Sequence, residues 1–117
     1  MKSHLEAGAL AEQWACEYLQ RRGLKLLGRN YRCRMGEIDI IMRDAETVVF
    51  VEVRFRSHPG FGGALASIDA RKQSRILAAA SHYLQRHELR CPTRIDVVGV
   101  RARNRIDWLS NAIESAW

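Results

Sequence analysis

The chain has 117 residues, 47% of them hydrophobic, and a formal net charge of +6. That supplies core for one domain, 1–117, and no run approaches the roughly 20 apolar residues that cross a bilayer, so no membrane partner is expected. Cys16, Cys33 and Cys91 lack the pairing of a zinc site or disulfide framework, and no apolar signal segment opens the chain, so a cytoplasmic protein is expected.

Of the 19 basic side chains only Lys2, Lys25 and Lys72 are lysines. Arginine's planar fork suits bidentate contact with phosphate oxygens, so a nucleic-acid partner is expected, although basic composition alone also serves solubility. Oligomeric state is not legible, and a homodimer remains open.

Residues 3–22 carry the period of an amphipathic helix, with Leu10, Ala11, Trp14, Ala15, Tyr18 and Leu19 on its apolar side. Arg21 and Arg22 suit the last turn and Gly23 the position after it. Glu12 sits off the polar arc, beside Leu5, Gly8, Ala9, Cys16 and Leu19. It needs a partner, either a metal ion or an arginine.

Leu24–Leu27 and Asn30–Arg32 suggest a first strand, broken around Gly28. The runs Glu37–Met42 and Thr47–Phe55 read as a hairpin around the polar stretch 44–47. Alternation gives Glu37 and Asp39 one face, and Glu52 and Arg54 one face of the next strand. Ile38, Ile40, Val51 and Val53 should then point the other way. Pairing Arg43 with Val48 would set Asp39 opposite Glu52 and Glu37 opposite Arg54. Cross-strand neighbours lie about 4.5–5.5 Å apart, where two carboxylates repel unless a proton or divalent cation intervenes. A solvated charged face is the plain alternative. Against it, the other positions of both strands are apolar, as in strands covered on both sides.

Residues 56–63 form a glycine-rich loop without the Walker ending, either a flap beside the carboxylates or an ordinary surface loop. Asp69 should cap a second helix running to about His87, with Ile76, Ala79, Ala80, Tyr83 and Leu84 buried. Arg71, Lys72 and Arg75 crowd its first turns, where the helix dipole disfavours cations. Either an anion binds there or the side chains reach into solvent. Arg94–Val100 is a β-branched strand and Arg105–Leu109 an edge strand, with Ser110 and Asn111 expected to cap a short C-terminal helix. The expected class is α/β, a mixed sheet flanked by helices, in the order αβββαββα.

A helix Glu, an Asp, and a Glu-x-Lys-like pair across a hairpin resemble the restriction-endonuclease-like PD-(D/E)XK nucleases. The chain is most similar to the YraN-like family. The similarity runs through Gly8–Glu12, Asn30–Cys33, Gly36–Asp39, Phe50–Arg54, Phe61–Gly63, Lys72–Gln73 and Arg94–Val98. Archaeal Holliday-junction resolvases are similar in the same core. The resemblance implies a metal-dependent endonuclease acting on DNA, with branched or structured DNA among its candidate substrates. Mg²⁺ or Mn²⁺ would be held by Asp39, Glu52 and the Val53 carbonyl, with Glu12 approaching from the first helix and Glu37 as an outer ligand. Arg32, Arg34, Arg56, Arg71, Lys72, Gln73 and Arg75 would meet nucleic acid. Two positions depart from the family pattern: Ala11 replaces a usual glycine, and Arg54 stands where the motif has lysine. Arginine cannot serve as a base but can offset charge developing on the phosphate, so a nuclease is the expected reading and a binding module that lost turnover the alternative.

Overall fold

The computed structural model describes residues 4–55 and 63–114; residues 56–62, Arg56 and the expected flap among them, lie outside the described residues. Helix α1 (His4–Arg21) leads into strands β1 (Lys25–Cys33), β2 (Gly36–Asp44) and β3 (Thr47–Phe55). A short α2 (Gly63–Ala66) and the long α3 (Ala70–Arg86) follow, then β4 (Thr93–Ala102) and β5 (Arg105–Ile113). One five-stranded sheet has the order β1-β2-β3-β4-β5. Only the β3–β4 pair is parallel, and it is the pair joined through the helices, as a parallel crossover requires. The expected mixed α/β sheet with flanking helices is present, consistent with a restriction-endonuclease-like fold.

The sheet is covered on both faces. Ala11, Ala15, Cys16 and Leu19 of α1 pack on Ile40, Met42, Val49, Val51 and Val98. Ile76, Ala79 and Ala80 of α3 pack on Ile38, Ile41, Phe50, Ile95 and Val97 on the other side. The small residues of both helices allow close approach to the strands. Gly36 makes one such approach: a Cβ there would lie 2.6 Å from the Arg75 carbonyl oxygen, so the start of β2 passes directly beneath α3.

Helix ends follow the sequence closely. Gly23 adopts φ +96°, the left-handed conformation in which glycine carries no steric penalty. Asp69 caps α3, its carboxylate accepting the Lys72 N–H at 2.8 Å.

Three expectations are corrected. Ser110 and Asn111 belong to β5 rather than capping a helix. Asn111 sits in a bulge with φ 53°, and its N–H donates to Asp96 Oδ1 at 2.8 Å, so the strand continues to Ile113. The first strand is continuous through Gly28, with its irregularity absorbed as a shift between Leu26 and Gly28. The β2–β3 hairpin has the expected register, Arg43 opposite Val48, but closes more tightly, with Asp44 opposite Thr47.

Candidate active site

The register departs from expectation where the carboxylates lie. Ile40–Val51 is the last β2–β3 pair, so Asp39 is not laddered against Glu52, nor Glu37 against Arg54. Glu37 is instead the cross-strand partner of Arg32 on β1, with Nε 3.4 Å from the carboxylate and both side chains exposed.

The reason is a coordinated distortion of β1 and β2. Asn30 and Asp39 would face each other in the β1–β2 register, but that one pair is missing and Asn30 takes φ 54°. Asparagine tolerates this conformation better than most residues. On either side of the break the strands change faces. Arg29 reaches Gln13 and Glu12 on α1, whereas Tyr31 meets His82 and Tyr83 on α3. Likewise Ile40 packs with the α1 core and Ile38 with the α3 core, so they do not share a face as strict alternation demands. Asp39 is thereby re-aimed: its Oδ2 accepts the Val53 N–H at 2.8 Å, replacing a backbone partner with a carboxylate. An extended residue presents its N–H and C=O to the same edge, so the Val53 carbonyl faces the same gap.

The gap is part of a cavity of about 380 Å³. Glu12 from α1, Glu37 and Asp39 from β2, and Glu52, Val53 and Arg54 from β3 line it. Arg32 of β1 and Lys72 and Arg75 of α3 complete a cationic rim. Nine of the expected site residues therefore converge. Arg34 and Arg71 are exposed and do not line the cavity. Gln73 spends its amide on the Ile68 carbonyl, at 3.0 Å. Gly8, Cys33, Phe55 and Ile76 also line the cavity, with no chemical motif to mark them in advance.

Electrostatics concentrate on Glu52. Burial, then hydrogen bonding to Asp39 and its negative charge, push the Glu52 pKa up to about 9, against opposing pulls from Arg54 and Lys72. Glu52 thus holds its proton beside Asp39 in one site. Glu12 is raised too, by partial burial first and then by Asp39, with Arg29 pulling the other way. Arg29 answers the question Glu12 posed in the sequence: its Nη2 lies 3.8 Å from Glu12 Oε1 while its Nη1 donates to Gln13 Oε1 at 2.9 Å. Glu12 has an arginine partner and still lines the carboxylate cavity.

Arg54 is largely buried, its Nη2 4.0 Å from Glu52 Oε2. Its Nε and Nη2 are buried with no hydrogen-bond acceptor. Buried guanidinium donors are costly without an acceptor, so these two are poised for an oxygen-rich ligand. Among the described residues no three His, Cys, Asp or Glu side chains gather closely enough to hold a metal by themselves. Two carboxylates and a main-chain carbonyl are hard oxygen donors that could hold Mg²⁺ or Mn²⁺ together with water, and a cation there would replace the Glu52 proton.

A second cluster lies in the sheet. Asp96 is fully buried, yet it accepts from Arg94 Nε at 3.1 and 3.2 Å, Trp108 Nε1 at 2.9 Å and the Asn111 N–H. Arg94 Nη1 donates in turn to Asp44 at 3.1 Å. Every donor around Asp96 comes from β4 or β5, so this carboxylate fastens the edge strand.

A mixed five-stranded sheet with a carboxylate pair where two strands part is an α/β domain consistent with a nuclease-like fold. Residues 11–100 match the model of the Uncharacterised protein family UPF0102, and the chain belongs to that family. A UPF0102 protein of Methylococcus capsulatus is 51% identical over 111 residues, 92% of this chain and 90% of the relative. One from Pseudomonas putida is 53% identical over 118 aligned positions, covering 96% of each chain. One from Alkalilimnicola ehrlichii is 56% identical over 111, covering 93% and 87%.

Proposed function

We propose that the protein is a Mg²⁺- or Mn²⁺-dependent endonuclease that hydrolyses phosphodiester bonds of DNA in the cytoplasm. The observation that carries the reading is the Asp39–Glu52 pair, with Asp39 held on the Val53 N–H and Glu52 buried beside it, inside a cavity whose rim is cationic. A solvated structural face would have no reason to hold two carboxyl groups together out of water.

Asp39, Glu52 and the Val53 carbonyl would hold the metal, with Glu12 reaching it through water and Glu37 lying further out. A bound divalent ion there supplies a lowered water pKa and a polarised phosphate. The residues do the rest. The unpartnered Arg54 donors take the scissile phosphate's oxygens and offset developing charge, without acting as a base. Lys72 brings the ammonium that the motif's lysine would otherwise supply, since it lines the same cavity and its charge acts on Glu52. Arg32 and Arg75 hold the flanking backbone. Free thiols at all three cysteines suit the cytoplasm.

One observation favours a second reading, a nucleic-acid-binding module without turnover: Arg54 occupies the lysine position of the Glu-x-Lys motif. Cleavage assays with Mg²⁺ or Mn²⁺ on branched, duplex and single-stranded DNA separate the two. Weak wild-type cleavage is expected, raised in Arg54→Lys and lost in Glu52→Ala. No cleavage by wild type or Arg54→Lys on any substrate contradicts the nuclease reading.

A further inference from the structure

We infer that the depression between the C-terminal end of α1 and the β4–β5 turn is a second phosphate site, gripping nucleic-acid backbone away from the carboxylate cavity. Tyr18, Arg21 and Arg22 form one wall, and Arg103, Asn104 and Ile106 the other, enclosing about 610 Å³. Arg21 and Arg22 alone have a sufficient local cause, since cations favour a helix C-terminus. Arg103 has none. It comes from a turn far away in the chain and adds a third guanidinium to the same depression. Gathering like charges costs free energy that a bound anion would offset.

These cations are held without exhausting their donors. Arg22 lies over the Tyr18 ring, 3.6 Å from its centroid. A cation–π contact fixes the guanidinium plane while using none of its five N–H groups. Arg103 meets Glu17 only at 4.0 Å, with its own side chain 73% exposed. Such a pair is weak and easily exchanged for a phosphate. The lining offers little apolar area beyond the Tyr18 ring and Ile106, so a phosphodiester fits it better than an apolar ligand.

The depression lies apart from the carboxylate cavity. Glu12 lines that cavity, and Arg21 comes nine residues later, about 14 Å along α1 and half a turn around it. Phosphate binding by the depression does not rest on the proposed nuclease function.

The test is fluorescence anisotropy with a labelled DNA duplex of two helical turns, in EDTA so that cleavage plays no part, across a salt series. Arg22→Ala/Arg103→Ala should bind more weakly, and its log–log salt slope should flatten by about two units, since each lost phosphate contact removes about 0.9. Arg22→Lys/Arg103→Lys should recover most of the slope, which a folding defect would not. A wild-type slope in the alanine pair, no recovery in the lysine pair, or no duplex binding by wild type at low salt overturns the site. Binding that follows the expected pattern, with no cleavage in Mg²⁺, leaves the site standing and removes only the nuclease reading.

Discussion

Glu52 is a carboxyl group that keeps its proton up to about pH 9. Its pKa has consequences for stability without any metal. The folded protein holds the proton while the unfolded chain, titrating near 4.5, releases it. Between 4.5 and about 9 the unfolded state therefore binds fewer protons, and stability must fall as pH rises. Thermal melts of metal-free protein should show that decline in wild type. Glu52→Gln, which has no proton to lose, should flatten it and melt higher at the alkaline end. Parallel pH profiles for the two proteins would show that Glu52 is not held protonated. Sequence made the pairing of these carboxylates legible from two apolar strands bearing acids at matched positions. It did not show how they meet. Asp39 reaches the site through the Val53 N–H after a face change centred on Asn30, and no alternation pattern encodes that break.

Elements were legible where local chemistry and packing agreed. Both long helices, their Gly23 and Asp69 ends, and the β2–β3 register follow from period and capping. β5 was misread beyond Leu109 because Ser110 and Asn111 are good caps in isolation, and a tertiary contact decides otherwise. Asp96 holds the Asn111 N–H and the Trp108 indole from the neighbouring strand. Asp96→Ala would remove the buried half of Arg94's pairing, leaving it with the part-exposed Asp44, and orphan both donors. The expected loss is about 3–5 kcal/mol in urea denaturation, the scale for breaking a buried ion pair, with faster amide exchange along β5. A variant within about 1 kcal/mol of wild type, with β5 still protected, would show that β5 is held by its ladder and by Trp108 packing instead.

At the scale of the whole molecule, two cores on opposite sides of one sheet leave a single end where β2 and β3 part, and both long helices send charged residues there. Fold class and most of the cavity lining were readable because acids and bases stood out in apolar strands and near helix starts. Cys33, Gly8 and Ile76 were not, since nothing in their chemistry distinguishes lining from packing. Gly36 was readable as family pattern, but its cause, the Arg75 carbonyl overhead, is a tertiary fact. The central claim, the proposed metal site, is that Asp39 and Glu52 together bind one divalent ion, which displaces the Glu52 proton. Calorimetric titration with Mn²⁺ at neutral pH, repeated in buffers of different ionisation enthalpy, tests it. Wild type should bind with release of about one proton per ion, and Asp39→Asn and Glu52→Gln should each bind far more weakly. Equal Mn²⁺ affinity in all three proteins, or binding without proton release, would contradict it.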